Sequence, residues 1–175
     1  MKIAVPAEPD KSETRVAATP ETVKKFVALG GDVTVQSRAG AGSRISDADY
    51  EAAGAKIAET VAAAVKDADI VLSVRRLPAE SLKGVAPGAL VVAIMDPYGN
   101  DAAVKGLAET GVAAFAMELL PRISRAQVMD VLSSQANLAG YQAVIDAAAE
   151  YGRALPMMMT AAGTVPAARV FVMGA

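Results

Sequence analysis

The chain has 175 residues, enough for one ordinary domain whose core needs neither disulfide nor metal. It contains no cysteine and no histidine, which removes thiol catalysis, thiolate metal sites and the commonest general acid–base group. A net charge of −2 and an aromatic content of 4% supply neither the basic surface nor the stacking platform that nucleic acid requires.

The opening "MKIAVPAEPD" has no long apolar segment, and "ALVVAIM" falls far short of the ~20 residues that span a bilayer. A soluble, cytoplasmic chain is expected. "KIAVP" predicts a short strand closed by Pro6. Thr19-Pro20-Glu21 opens a helix with threonine at the N-cap and proline in the first turn, and Gly30-Gly31 ends it. "DVTVQS" alternates as a second strand, "SRAGAGSRIS" is a glycine-rich loop, and Ser46 with Asp49 forms a capping-box pattern before a short helix. "AKIA", "DIVLSV", "ALVVAIM" and "VAAFAM" predict further strands. Between them lie a helix in "ETVAAAVKDA", a helical turn in "RRLPAESLKGVAPG" and a helix in "DAAVKGLAET" capped by Asn100.

Continuous apolar strands separated by helices indicate a parallel sheet covered on both faces, a doubly wound α/β domain of the flavodoxin/Rossmann kind. After Asp130 the pattern changes to one long helix, then a loop in "PMMMTAAGTVPA", then a strand in "ARVFVMGA". The expected divisions are an α/β domain over 1–130, an interdomain helix over 131–155 and the first strand of a truncated Rossmann domain over 156–175.

Two stretches carry candidate chemistry. "RVFVMGA" ends in Gly174 as a dinucleotide-binding unit begins, with one glycine of the fingerprint in view. "PRISRAQVMD" sets Arg122, Arg125, Gln127 and Asp130 after the last strand of the sheet, where open α/β sheets bind ligands. The same residues can also form a solvated loop, with Asp130 simply starting a helix. "SRAGAGSR" can cradle an anion or act as a plain connector, Met157-Met158-Met159 suits packing between domains, and Arg75-Arg76 suits a solvated rim. Carboxylates cluster nowhere in the sequence as metal ligands would.

"MELLPRISRAQVMDVLSSQANLAGYQAVIDAA" with "PMMMTAAGTVPAARVFVMGA" closely resembles the alpha-subunit family of proton-translocating NAD(P) transhydrogenases. "MKIAVPAEPDKSETRVAATPETVKKFVALG" resembles the start of the wider alanine dehydrogenase and transhydrogenase superfamily. The resemblance implies an NAD(H)-binding subunit that passes hydride directly to NADP(H) carried by a partner domain or beta subunit. It also implies a homodimer, with membrane attachment and proton translocation belonging to the rest of the complex at the cytoplasmic face of the inner membrane. By motif, Arg122, Asp130 and Ser133 would hold the nicotinamide carboxamide, Gln127 would face NADP(H), and Gly174 would begin the dinucleotide fingerprint. Arg122, Gln127 and Asp130 form the catalytic set.

Alanine dehydrogenase is the rival within the superfamily, and a folded, non-catalytic interaction module is the rival outside it. The dehydrogenase family's arginine has its counterpart in Arg15, its lysine position holds Arg75, and "DPYG" stands in the place of its histidine. Arginine keeps its proton and no histidine is present, so acid–base work on an imine lacks its groups. The sequence is expected to be a fragment without most of the NAD site. Fluorescence titration should therefore find weak NADH binding or none, and tight binding would refute that expectation.

Overall fold

Six short apolar segments pair as one parallel sheet in the order β3-β2-β1-β4-β5-β6. The structure is a computed structural model and describes residues 1–174. The strands are β1 (Lys2–Val5), β2 (Asp32–Gln36), β3 (Lys56–Ala58), β4 (Ile70–Arg75), β5 (Leu90–Ile94) and β6 (Ala113–Ala116). Helices α1 (Pro20–Ala28), α2 (Asp47–Ala52), α3 (Val61–Val65) and α4 (Asp101–Glu109) lie between them in the chain. This is the doubly wound α/β class expected from the sequence. The strand order reverses between β1 and β4, which puts the topological switch point beyond the carboxyl ends of those two strands.

Strand periodicity explains the core. Ile3 and Val5 of β1 join one buried cluster with Val23, Val33, Val35 and Tyr50. Ala4, pointing the other way, joins a second with Val65, Val71, Val91 and Leu107. Both faces of the sheet are thus buried, which is why the central strands are apolar throughout and only β2 alternates. The Tyr50 hydroxyl donates to the Ala18 carbonyl at 2.8 Å, so its polar end is satisfied inside the first cluster.

Helix starts follow local chemistry with one exception. The Thr19 hydroxyl accepts from the Thr22 amide, and Ser46 and Asp49 form the reciprocal capping box. Asn100 stands at the N-cap of α4 but does not cap it. Its side-chain amide donates instead to the Asp96 carbonyl at 3.0 Å and carboxylate at 3.2 Å. The glycine-rich loop after β2 is a close-packing device: a β-carbon on Gly42 would lie 2.7 Å from the Thr14 carbonyl oxygen and 2.9 Å from its α-carbon. Ser43 donates to that same oxygen at 2.8 Å.

The chain divides into two compact units, Met1–Met129 and Asp130–Ala175. The second contains helix α5 (Val131–Tyr151), ended by Gly152 at φ +64°, and an antiparallel hairpin of β7 (Met158–Thr160) and β8 (Gly163–Val165). The hairpin replaces the expected loop. Gly163 supplies a positive φ, and the Thr160 hydroxyl donates to its carbonyl at 2.8 Å. The expected strand over 169–174 does not form: a strand exists only through pairing, and no described segment pairs with it. Val170, Phe171, Val172 and Met173 are exposed there, as are Met157, Met158 and Met159. Among the described residues no helix is long and apolar enough to cross a membrane.

Gly42→Ala should destabilise the protein by about 1–3 kcal/mol, because the new methyl meets backbone that cannot rotate away. Urea unfolding should show a lower midpoint with an unchanged slope.

Candidate functional site

Beyond the last backbone pairings of a parallel sheet, amides and carbonyls lose their strand partners and need others. Here side chains take over. The Gln36 side-chain oxygen accepts from the Ala7 amide at 2.9 Å, just past β2 and β1. The Glu8 carboxylate crosses the switch point and accepts from the Val74 and Arg75 amides at 2.6 and 3.1 Å. Those amides lie where β4 bulges, because Leu72 pairs with Val92 while Arg75 pairs with Ile94. The bulge also holds Ser73, a buried hydroxyl with no hydrogen-bond partner among the described residues. Burial pushes the Glu8 carboxyl above its ordinary range, although both amides oppose the shift.

Beside Glu8, Glu13 is the hub of a charge cluster. Its oxygens receive the Arg15 guanidinium at 2.7 and 2.6 Å and the Arg75 Nε at 3.0 Å. The Glu13 side chain is only 5% exposed, and hydrogen bonding from Arg15 pulls its carboxyl down to about 2. Arg15 and Arg75, sixty residues apart in sequence, are therefore brought together on one carboxylate. A cavity of about 350 Å³ opens here, lined in part by Glu8, Asp10, Lys11, Glu13, Arg15 and Arg38. A larger hollow of about 630 Å³ lies between Leu82–Pro87 and α4. It gathers no comparable polar network, so the smaller cavity is the chemically richer one.

The glycine-rich loop presents no free anion cradle. Asp47 already takes the Arg38 amide at 2.8 Å and the Ser37 hydroxyl at 2.7 Å. Nor is Arg76 the solvated residue expected: its guanidinium donates to the Met95 and Asp96 carbonyls, the latter at 2.9 Å. Glu118 accepts from the amides of the same two residues.

The sequence-predicted site residues fall in both units. In the first, Arg122 and Gln127 are exposed on the segment after β6, which forms a 3-10 helix over Ser124–Met129 seated by buried Ala126; Arg125 is exposed as well. In the second, Asp130 is the N-cap of α5. Its Oδ1 accepts from the Leu132 and Ser133 amides at 3.0 Å each, and its Oδ2 accepts from the Ser133 hydroxyl at 2.6 Å. Asp130 and Ser133 are thus joined directly. Gly174 is exposed at φ +83° and lies outside any strand. Sequence reasoning passed over Glu8, Glu13 and Glu118. The Glu13-Arg15 spacing was the one available signal, since the other contacts join residues 22 to 67 positions apart.

The chain belongs to the family described as alanine dehydrogenase/PNT, N-terminal domain, whose model matches residues 4–139. Within that family its strongest similarities are to transhydrogenases. It is 52% identical over 180 residues to the first of the separately encoded pieces of the NAD(P) transhydrogenase alpha subunit of Rhodospirillum rubrum, covering 99% of this chain and 47% of that protein. The crystal structure of transhydrogenase from Sinorhizobium meliloti superposes with a TM-score of 0.91 at 60% identity, covering 96% of this chain and 50% of that one. An alanine dehydrogenase of Halomonas elongata is more distant, 38% identical over 120 residues, which is 69% of this chain and 32% of that protein. The chain spans about half the length of the transhydrogenase relatives it matches.

Glu13 makes acid stability testable. Its folded pKa, about 2, lies below the ordinary 4.5, so its stabilising contribution is complete at neutral pH and is lost as pH falls between those values. Glu8, raised instead, acts in the opposite sense, losing stability as pH climbs through its folded pKa. The wild type should exceed Glu13→Gln by on the order of 3 kcal/mol at pH 7. That gap should narrow steadily below pH 4.5 in chemical unfolding series.

Proposed function

We propose that this chain is the N-terminal portion of the NAD(H)-binding alpha subunit of an NAD(P) transhydrogenase. One observation carries the reading: 52% identity to such a subunit runs through 99% of the chain, including the polar segment that leaves the carboxyl end of β6. Partners would be the NADP(H)-binding domain or beta subunit and a second copy of the chain. Membrane association and proton translocation would come only through the assembled complex, at the cytoplasmic face.

The donor set suits a nicotinamide carboxamide, which offers one carbonyl acceptor and one amide donor. The Arg122 guanidinium donates to the carbonyl. Ser133 has committed its hydrogen to Asp130, which leaves its lone pairs to accept from the amide. Asp130 fixes that hydroxyl while capping α5, so the ring-holding group sits on a rigid helix start. Gln127, exposed three residues earlier, faces the partner-bound NADP(H). The bound nicotinamides supply the hydride donor and acceptor when both are present. The protein has to orient and desolvate two rings, and it needs no acid or base at the reacting carbon. A chain without histidine can do this. An alanine dehydrogenase reading, by contrast, leaves Arg75 and Asp96-Pro97-Tyr98 where that family uses lysine and histidine.

The test uses the full-length subunit assembled with its NADP(H)-binding partner. Asp130→Asn keeps a residue that caps helices about as well as aspartate, so folding should survive. Hydride transfer in stopped flow should nevertheless slow on the order of 10–100-fold, as it should in Arg122→Ala. Wild-type rates in both variants would reduce the segment to a solvated loop.

A further inference from the structure

The segment that carries Arg122 and Gln127 must leave the sheet in a defined direction if it is to hold a ring in place. β6 pairs with β5 as far as Ala116 opposite Ala93, and then the chain turns into a 3-10 helix over Met117–Leu119. At that turn the β5 extension, Met95 and Asp96, loses its neighbour. The Glu118 side chain substitutes for the missing strand: Oε2 accepts from the Met95 amide at 3.1 Å and Oε1 from the Asp96 amide at 2.5 Å. On the opposite side Arg76 supplies the donors. Its backbone amide reaches the Ile94 carbonyl at 2.9 Å, and its guanidinium reaches the Met95 and Asp96 carbonyls.

Two further facts mark this as a rigid joint. Asp96 holds φ +45°, a left-handed conformation that costs a non-glycine residue about 1–2 kcal/mol and persists only where its surroundings enforce it. Clamping both amides and both carbonyls of residues 95 and 96 provides that enforcement. Arg122 follows Glu118 by four residues, at most about 14 Å of chain, with Pro121 stiffening the step before it. Beyond Glu118 the backbone bonds across this stretch are local: Leu120 to Met117, Ile123 to Pro121 and Ala126 to Ile123. The grip of Glu118 is therefore what ties the root of the segment to the sheet.

We infer that Glu118 is a positioning residue for hydride transfer, its two-point hold on the Met95 and Asp96 amides setting where Arg122 and Gln127 depart from the sheet. The inference rests on the transhydrogenase reading above and adds to it a residue that touches no cofactor. It acts on the geometry of the reacting rings more than on the bulk of cofactor binding.

The experiment compares Glu118→Ala, Glu118→Gln, Arg122→Ala and Gly42→Ala in the full-length subunit assembled with its partner. Glu118→Ala should lower kcat on the order of 10-fold or more while KM for NADH changes less than about threefold. Glu118→Gln retains one oxygen acceptor and should fall between it and wild type; it decides the question alone if the alanine variant does not fold. Gly42→Ala, destabilised far from this joint, should keep wild-type kcat, which separates positioning from general loss of stability. A wild-type kcat in the folded Glu118 variants beside a slowed Arg122→Ala would overturn the inference and leave the function reading intact. Wild-type rates in Arg122→Ala as well would remove the function reading and the inference together.

Discussion

Everything at the working end of this domain depends on one problem: parallel strands diverge beyond their last ladder bond, leaving polar backbone groups that must be satisfied. The protein answers with charged and amide side chains, each reaching across to a neighbouring strand's end. Glu8 joins the β1 end to β4, Arg76 joins β4 to β5, Glu118 joins the β6 end to β5, and Gln36 does the same between β2 and β1. Charge-assisted hydrogen bonds are stronger than neutral ones, so the sheet gains stiffness where an ordinary sheet loosens. A site built on loops thereby acquires a rigid foundation.

The same arrangement decides which charges remain available. Glu13 absorbs the strong donors of Arg15 and Arg75, and Asp47 absorbs the amide at the start of the glycine-rich loop. The cavity beside β1 is thus already supplied with carboxylates, and an incoming anion would compete with them for the two arginines. Arg122 and Gln127, exposed on the segment beyond β6, keep the polar groups a ligand needs. The contrast supports assigning the chemistry to that later segment.

Much of the fold was legible because it is local. The period-two pattern of Val33 and Val35, the threonine and serine caps at Thr19 and Ser46, and the apolar runs around Val71 and Val91 each predict their element within a few residues. What escaped is set by partners distant in sequence. Asn100 looks like a cap until Asp96, strained four residues earlier, claims its amide. "RVFVMGA" has strand composition, yet composition cannot supply a pairing edge. The Met158–Val165 hairpin was hidden because its strands are three residues each, too short for alternation to register. At the candidate site, Asp130 and Ser133 could be picked out by motif. Glu8 and Glu118 could not, because a glutamate in a loop has no signature until its distant amides are known.

The bulge in β4 has a bearing on how this domain could change over time. Upstream of it, Ile70, Val71 and Leu72 keep straight register with Leu90, Val91 and Val92, and these pairs belong to the core. Downstream, the extra residue determines which side of the sheet each of the consecutive arginines serves, Arg75 toward Glu13 and Arg76 toward the end of β5. Deleting one residue at Ser73 or Val74 would exchange their roles while leaving the packed pairs untouched. The irregularity works as a joint between a conservative module and a variable one. It lets the polar rim be re-registered without repacking the interior, which is a short route by which one scaffold can serve different chemistries.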